Sequence, residues 1–91
     1  MQVNWTAKSV SDVHRLYQFL ALLNNQAARA VVHSLEQAAA LLAEHPRIGH
    51  NVAAYAPKEV RELTVGDYVM RYQIKREQVY ILRVWHGREE H

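Results

Sequence analysis

The residues best suited to chemistry stand at the end of the chain. An apolar run that closes at Trp85 is followed by His86, Gly87 and Arg88. A histidine titrates near neutral pH and can transfer a proton, so His86 would be the general acid or base if the protein is an enzyme. The alternative is structural, with His86 closing the strand end and pairing with one of the two acids that follow. For a lone histidine we favour the structural interpretation, so no catalytic residue is assigned.

Positive charge is concentrated in the C-terminal half. Six of the eleven Lys and Arg residues lie between positions 61 and 88, and the sequence pI is about 9.2 although the formal net charge is only +2. A basic half favours an acidic partner, either nucleic acid or an acidic protein surface, although solvated arginines on strands would give the same pattern. The predicted target-binding residues are Arg61, Arg71, Arg83, His86 and Arg88. We expect either Arg71 or Arg83 to brace the fold by ion pairing instead.

Several kinds of site are excluded by composition and spacing. The chain has no cysteine, which removes disulfides, thiolate metal sites and cysteine nucleophiles. Its six histidines lack the i,i+4 spacing of a helical metal site, and its three glycines are too far apart for a phosphate-binding loop. The serines fall on or beside the predicted helices, where no triad forms. We therefore predict no metal and no cofactor.

Length and hydropathy indicate one domain over residues 1–91. The first residues show no signal peptide, and the longest apolar stretch, residues 38–43, is far too short to span a bilayer. These features lead us to expect a cytoplasmic protein without a membrane partner.

Two helices are predicted after a short first strand that ends at Trp5. Apolar residues at three- and four-residue steps indicate one helix ending near residues 24–25 and a second over residues 26–45, stopped by Pro46. Thr6 or Ser9 is expected to cap the first helix, with Asp12 as the acid of a capping box. The two-residue link between the helices requires an antiparallel helical hairpin.

Beyond the helices the periodicity changes. Residues 47–58 are predicted to form a loop, of a length that is often functional. Alternation then predicts strands over residues 60–65, 68–74 and 79–85, joined by tight turns into an antiparallel meander. The predicted fold class is α+β, in the order β-α-α-β-β-β, with the helical hairpin packed on an antiparallel sheet because each layer buries the other's apolar face.

Three segments, in this order and at these spacings, resemble the ParE/RelE superfamily of toxins. They are HPRIG at residues 45–49, RELTVGDYVMRY at residues 61–72 and ILRVWHGRE at residues 81–89. The resemblance covers essentially the whole chain. It implies the toxin of a type II toxin–antitoxin system that stabilises a plasmid or chromosome. It also implies a hetero-oligomer with an antitoxin, a DNA-binding protein whose tail wraps the toxin.

The superfamily has two branches with different targets. RelE-like members cleave messenger RNA on the ribosome with a loop residue, a third-strand arginine and a C-terminal pair such as His-Tyr, whereas ParE-like members inhibit DNA gyrase and so replication. Here Tyr68 stands at the arginine position, with Arg71 as the nearest substitute, and Gly87 follows His86 where a tyrosine is expected. The comparison favours the ParE-like branch, which acts by binding and not as an enzyme. A RelE-like mRNA endonuclease and a diverged non-toxic binding module are the alternatives.

The antitoxin is expected to dock on the helical hairpin. The predicted docking residues are Leu16, Leu20 and Leu23, which lie on the first helix beside the alanine-rich second helix. An unpaired strand edge could also accept a segment of the antitoxin. The alternative, which we expect to hold for most of these leucines, is that the two helices bury them in the core.

Overall fold

The computed structural model describes residues 1–89, and its elements follow the predicted order with two additions. The predicted loop contains a two-residue strand and a single 3-10 turn. The elements are β1 (Gln2–Trp5), α1 (Ala7–Leu23), α2 (Asn25–Glu44), β2 (His50–Asn51), the 3-10 turn (Ala53–Tyr55), β3 (Glu59–Val65), β4 (Tyr68–Lys75) and β5 (Gln78–His86). Two helices packed on a five-stranded sheet confirm the α+β prediction. None of the helices in residues 1–89 is long and apolar enough to cross a membrane.

The sheet is mixed, with strand order β1-β5-β4-β3-β2. β3, β4 and β5 form the predicted antiparallel meander, and β2 pairs antiparallel with β3. β1 runs parallel to β5, from the pair of Gln2 with Gln78 to the pair of Trp5 with Ile81. A parallel neighbour needs a long crossover, and here the whole stretch from α1 to β4 lies between β1 and β5. The prediction of an antiparallel sheet therefore holds for every pair except that of β1.

Short polar side chains set the helix ends. The Thr6 hydroxyl accepts the N–H of Ser9 and donates to the carbonyl of Ile81 at 2.7 Å, so the N-cap of α1 is also fastened to β5. Asn24 serves both helices, because its N–H donates to the Leu20 carbonyl and its side chain accepts the N–H of Ala27. One residue thereby ends α1 and starts α2, which forces the chain into a tight hairpin.

The main core lies between the hairpin and the sheet. Alternate residues of β4 face the helices, and this pattern extends to β5 through the partners of Met70 and Tyr72. The buried residues of this core are Leu16, Leu35, Ala38, Ala39, Leu42, Tyr68, Met70, Tyr72, Ile74, Val79, Ile81 and Val84. Burial of these side chains is the main stabilising contribution to so small a fold.

Asp12 joins α1 to β5 where β1 stops. β1 pairs with β5 only as far as Ile81, so beyond that residue the outer edge of β5 faces α1. The Asp12 carboxylate accepts the N–H of Val84 at 2.9 Å and two guanidinium N–H groups of Arg83 at 2.8 and 3.1 Å. Asp12 is only 2% exposed. The capping-box role predicted for Asp12 is wrong, because Thr6 caps the helix and the Asp12 side chain points to the sheet.

The ionised form of Asp12 is the stable one in the fold. Burial by itself raises the pKa of this carboxyl, because a charge is disfavoured away from water. The hydrogen bonds from Arg83 and Val84, with the charges of Arg83 and Arg15, outweigh burial and hold the pKa below its usual value. Arg15 completes the site from one turn further along α1, at 3.1 Å.

Replacement of Asp12 by alanine should destabilise the protein more than any other single loss of charge. The variant leaves Arg83 without its carboxylate and the Val84 N–H without a partner, and breaking a buried pair in this way costs about 3–5 kcal/mol. Urea unfolding followed by circular dichroism measures the change. Arg15→Ala is the control, since Arg15 is largely exposed and its loss should cost less than about 1 kcal/mol. Equal effects of the two substitutions would contradict this account of Asp12.

Stability should also fall in acid. Because the folded-state pKa of Asp12 is lowered, its contribution is fully present above the unfolded-state pKa of about 4 and is lost as the pH falls through the folded-state value. We expect the free energy of unfolding to decrease below about pH 4. Asp12→Asn, which does not titrate, should show a shallower decrease over the same range. An unchanged slope in that variant would show that other carboxyls control the acid response.

Candidate functional site

Two of the predicted target-binding arginines, Arg71 and Arg83, lie opposite each other on β4 and β5, and Arg61 lies on β3. Arg83 is at the α1 edge on Asp12, Arg61 is at the β2 edge, and Arg71 is on the face away from the helices. Both Arg71 and Arg83 form ion pairs, whereas the sequence led us to expect bracing from one of them. The structure therefore brings Arg71 and Arg83 together beside Tyr55 in one shallow pocket, whereas Arg61 lies at the β2 edge.

Arg71 is enclosed by groups of its own chain. Its guanidinium contacts the Glu62 carboxylate at 2.8 Å and lies over two aromatic rings, 4.7 Å from the centroid of Trp85 and 5.3 Å from that of Tyr55. Such cation–π contacts add to the ion pair when the group is shielded from water. His50 approaches the same carboxylate at 3.8 Å. This cluster holds Tyr55, and with it the preceding loop, against the sheet.

Arg61 fixes the start of that loop. Its guanidinium donates to Glu59 at 2.9 Å and to the carbonyl of Gly49 at 2.7 Å. Arg47 holds the same carboxylate with two hydrogen bonds, at 2.9 and 3.0 Å. The hydrogen bonds from Arg47 and Arg61 lower the pKa of Glu59. The arginine of the HPRIG segment thus has a structural partner 12 residues away along the chain.

The glycine of HPRIG is required by close packing. Its N–H donates to the buried Tyr72 hydroxyl at 2.9 Å. A Cβ at position 49 would lie 2.7 Å from both that hydroxyl and the Glu62 carbonyl oxygen, which is closer than side chains pack. Burial is the main cause of the raised pKa of Tyr72, which keeps its phenol protonated.

His86 closes the end of β5. Its Nδ1 accepts the backbone N–H of Arg88 at 3.1 Å, and its carbonyl accepts that of Glu89. The imidazole packs edge-on against the Tyr68 ring, with 5.3 Å between centroids. Burial first, and then the nearby charges of Asp67 and Glu89, raise the pKa of Tyr68. The ring nitrogen that faces the turn is thus already an acceptor within the chain, which fits the structural interpretation of His86.

A strap formed by residues 52–58 crosses the face of the sheet that the helices leave open. The strap begins where the Val52 N–H bonds the Val60 carbonyl at 2.8 Å, and it includes the 3-10 turn. Beneath it Val60 is 1% exposed and Trp85 is 6% exposed, although neither belongs to the helix-side core. The open face thus has a small apolar core of its own.

The predicted antitoxin-docking leucines differ in exposure. Leu16 is 8% exposed and belongs to the core, so it is not part of the accessible surface; Leu20 is half-buried. Leu23 is 75% exposed, and two apolar residues that the sequence did not single out accompany it, Phe19 at 63% and Leu22 at 86%. We name these three exposed residues the hairpin tip. The sequence pattern did not distinguish these exposed residues from the buried ones, because the spacing of apolar residues along α1 does not show where the sheet beneath the helix ends.

Among residues 1–89 no group of three acidic or histidine side chains is placed to hold a metal ion. Sequence reasoning missed that the predicted arginines bind three carboxylates of the same chain, those of Asp12, Glu59 and Glu62. The pairing of Asp12 with Arg83 has no local sequence signal, because the two residues lie 71 positions apart along the chain.

The sequence and the fold of this chain can be compared with those of known proteins. The family described as ParE toxin of type II toxin–antitoxin system, parDE, matches residues 3–91. Toxin RelE2 of Caulobacter vibrioides is 33% identical over 87 residues, which are 94% of each chain. A solved structure of the chromosomal ParDE toxin–antitoxin system from P. aeruginosa has a TM-score of 0.79 at 22% identity and covers 94% of this chain and 95% of that one.

The family match and the relative of 33% identity place the chain among the toxins of the ParE/RelE superfamily, as the three sequence segments predicted, and its fold is that of the ParDE structure. Within that superfamily, the chain belongs to the ParE toxin family. It is therefore the toxin of a type II toxin–antitoxin system, which implies an antitoxin partner.

Gly49→Ala tests the packing of the HPRIG segment. The added methyl must displace the Glu62 backbone, and overpacking of this kind costs about 1–3 kcal/mol. The change in urea midpoint gives the loss. Gly87→Ala is the matched control, because the nearest atom to its added Cβ is at 3.2 Å, and it should cost less. Adding Tyr72→Phe should restore little stability, since the clash with the Glu62 carbonyl remains; full recovery would refute this explanation.

Proposed function

We propose that this toxin inhibits DNA gyrase, and so replication, by binding and without chemistry of its own. The observation that carries the proposal is that its guanidinium groups are engaged in ion pairs within the chain. Arg61, Arg71 and Arg83 each hold a carboxylate of the same chain. A nuclease needs free positive charge at the developing phosphorane and separate groups to remove and donate protons. Groups already committed to internal partners serve that chemistry poorly.

Cleavage of messenger RNA is the second candidate function. Its support is the 33% identity to a relative named Toxin RelE2. His86 would then be the proton carrier, helped by Arg88. The hydrogen bond to the Nδ1 of His86 leaves Nε2 as the nitrogen available for that role.

Under the favoured proposal the target surface includes the exposed end of β5. Arg88 is exposed, and its backbone N–H, not its guanidinium, bonds His86. Arginine suits an acidic protein surface because its planar group binds carboxylates in pairs. We propose Arg88 and His86 as target contacts, with Arg61, Arg71 and Arg83 contributing through the surface they support.

The antitoxin is proposed to cover the hairpin and an edge of the sheet. The hairpin tip is an exposed apolar patch of the kind that marks protein interfaces. On the outer side of β3, β2 pairs only with Arg61 and Glu62, so within residues 1–89 the edge beyond them has no strand partner. That edge could pair with an extended antitoxin segment, while the tip receives a helical one.

Two parallel assays test the target. Purified toxin is added to gyrase supercoiling and DNA-cleavage reactions, and separately to ribosomes translating a defined messenger RNA. We expect gyrase inhibition without RNA cuts, and about a 3- to 10-fold weaker inhibition by Arg88→Ala at unchanged melting temperature. RNA cuts that disappear in His86→Ala would establish the nuclease alternative. A chain that shows neither activity and does not slow growth would be a non-toxic binding module.

A further inference from the structure

The strap is an exposed loop that is held by many hydrogen bonds and ion pairs of the fold. Residues 53–58 are all exposed. Their side chains add little to the main core, yet the loop is fixed at both ends. A loop that merely connects two elements does not need such support.

Four sets of contacts fix the strap and the segment that leads into it. The Gly49 N–H bonds the Tyr72 hydroxyl, and Arg47 and Arg61 share the Glu59 carboxylate. Within the strap, the Lys58 N–H bonds the Tyr55 carbonyl at 3.0 Å. The Tyr55 ring lies on the guanidinium of Arg71. The strap is therefore presented in one conformation, which reduces the entropy lost when a partner binds.

The outward surface of the strap is apolar and ends at one cation, Lys58. Its residues include three alanines, Pro57 and Tyr55, and the Tyr55 side chain remains 39% exposed. Between Glu44 and Glu59 the sequence has no carboxylate, whereas it has Arg47, Lys58 and two histidines. Among residues 1–89 Lys58 makes no ion pair. An apolar surface beside uncompensated positive charge fits an acidic protein surface with an apolar centre.

We propose that the outer surface of the strap, residues 53–58, docks on the protein target of this toxin, together with the end of β5 that carries His86 and Arg88. The inference rests on the proposed function, in which the toxin acts by binding gyrase, and it assigns the contact to a surface other than the hairpin. The partner is an acidic patch of the target that accepts Tyr55 and Lys58. The hairpin tip is a second apolar surface, but it lies on the opposite layer of the fold and remains available to the antitoxin.

Charge introduced on the strap tests the proposal without removing the contacts that hold it. Ala54→Glu and Lys58→Glu place carboxylates on exposed positions and leave Tyr55, Arg71 and Glu62 unchanged. Ala40→Glu and Lys75→Glu are matched controls on exposed positions of α2 and β4. All four variants are compared in gyrase supercoiling inhibition, in growth arrest on expression and in melting temperature.

We expect each strap variant to require about tenfold more toxin for half-inhibition of gyrase, and to lose growth arrest, while the controls stay within about twofold. Melting temperatures should be unchanged in all four, and binding to the cognate antitoxin should be unchanged in the two strap variants. If Ala54→Glu lowers the melting temperature, Lys58→Glu is the deciding variant, because within residues 1–89 the Lys58 side chain forms no ion pair.

The outcomes separate the two proposals. Strap variants that inhibit gyrase and arrest growth like the wild type would overturn the docking surface and leave the gyrase function standing. A wild type that arrests growth without inhibiting gyrase, while the strap variants do not arrest growth, would overturn the gyrase target and support the strap as the contact with another protein. A wild type with no effect on gyrase or growth would overturn both.

Discussion

The buried carboxylate of Asp12 determines how the two layers of this toxin fit together. It supplies an acceptor to the Val84 N–H at the point where the strand partner of β5 has ended, and it neutralises Arg83. A sheet edge covered by a helix must satisfy its backbone groups from that helix, because water has no access. Among the side chains of α1, Asp12 meets this need, and the position of the hairpin on the sheet follows from it.

Two other carboxylates, on the sheet, also bind arginines of the same chain. Glu59 holds the two arginines that fix the loop, and Glu62 holds the one that lies beneath Tyr55. An ion pair on an exposed surface contributes little to stability, but a half-buried pair that also fixes a loop reduces its freedom to move. In this protein charge pairing therefore acts mainly on shape, and apolar burial supplies most of the stability.

The helices and strands could be predicted from local sequence patterns. The site could not, because it is formed by contacts between residues that are far apart in the sequence. The helices followed from periodicity and Pro46, and the meander from alternation with tight turns. In β5, however, simple alternation places Ile81 and Arg83 on the same face. The register shift between Arg71 and Tyr72 makes Leu82 an extra residue, and this reverses the faces. Arg83 is thereby placed opposite Arg71, and no spacing in the sequence reveals it.

The pairing of the arginines changes what the basic composition means. A chain with a pI of about 9.2 suggests a broad cationic surface, but several of its guanidinium groups are neutralised inside the fold. The positive charge left for a partner lies outside those pairs, on exposed residues such as Lys58 and Arg88. Electrostatic attraction then sets the rate and orientation of encounter, and the affinity must come from apolar contact. This distribution of charge favours the proposed protein target, because binding an extended nucleic acid backbone requires a continuous row of free cations.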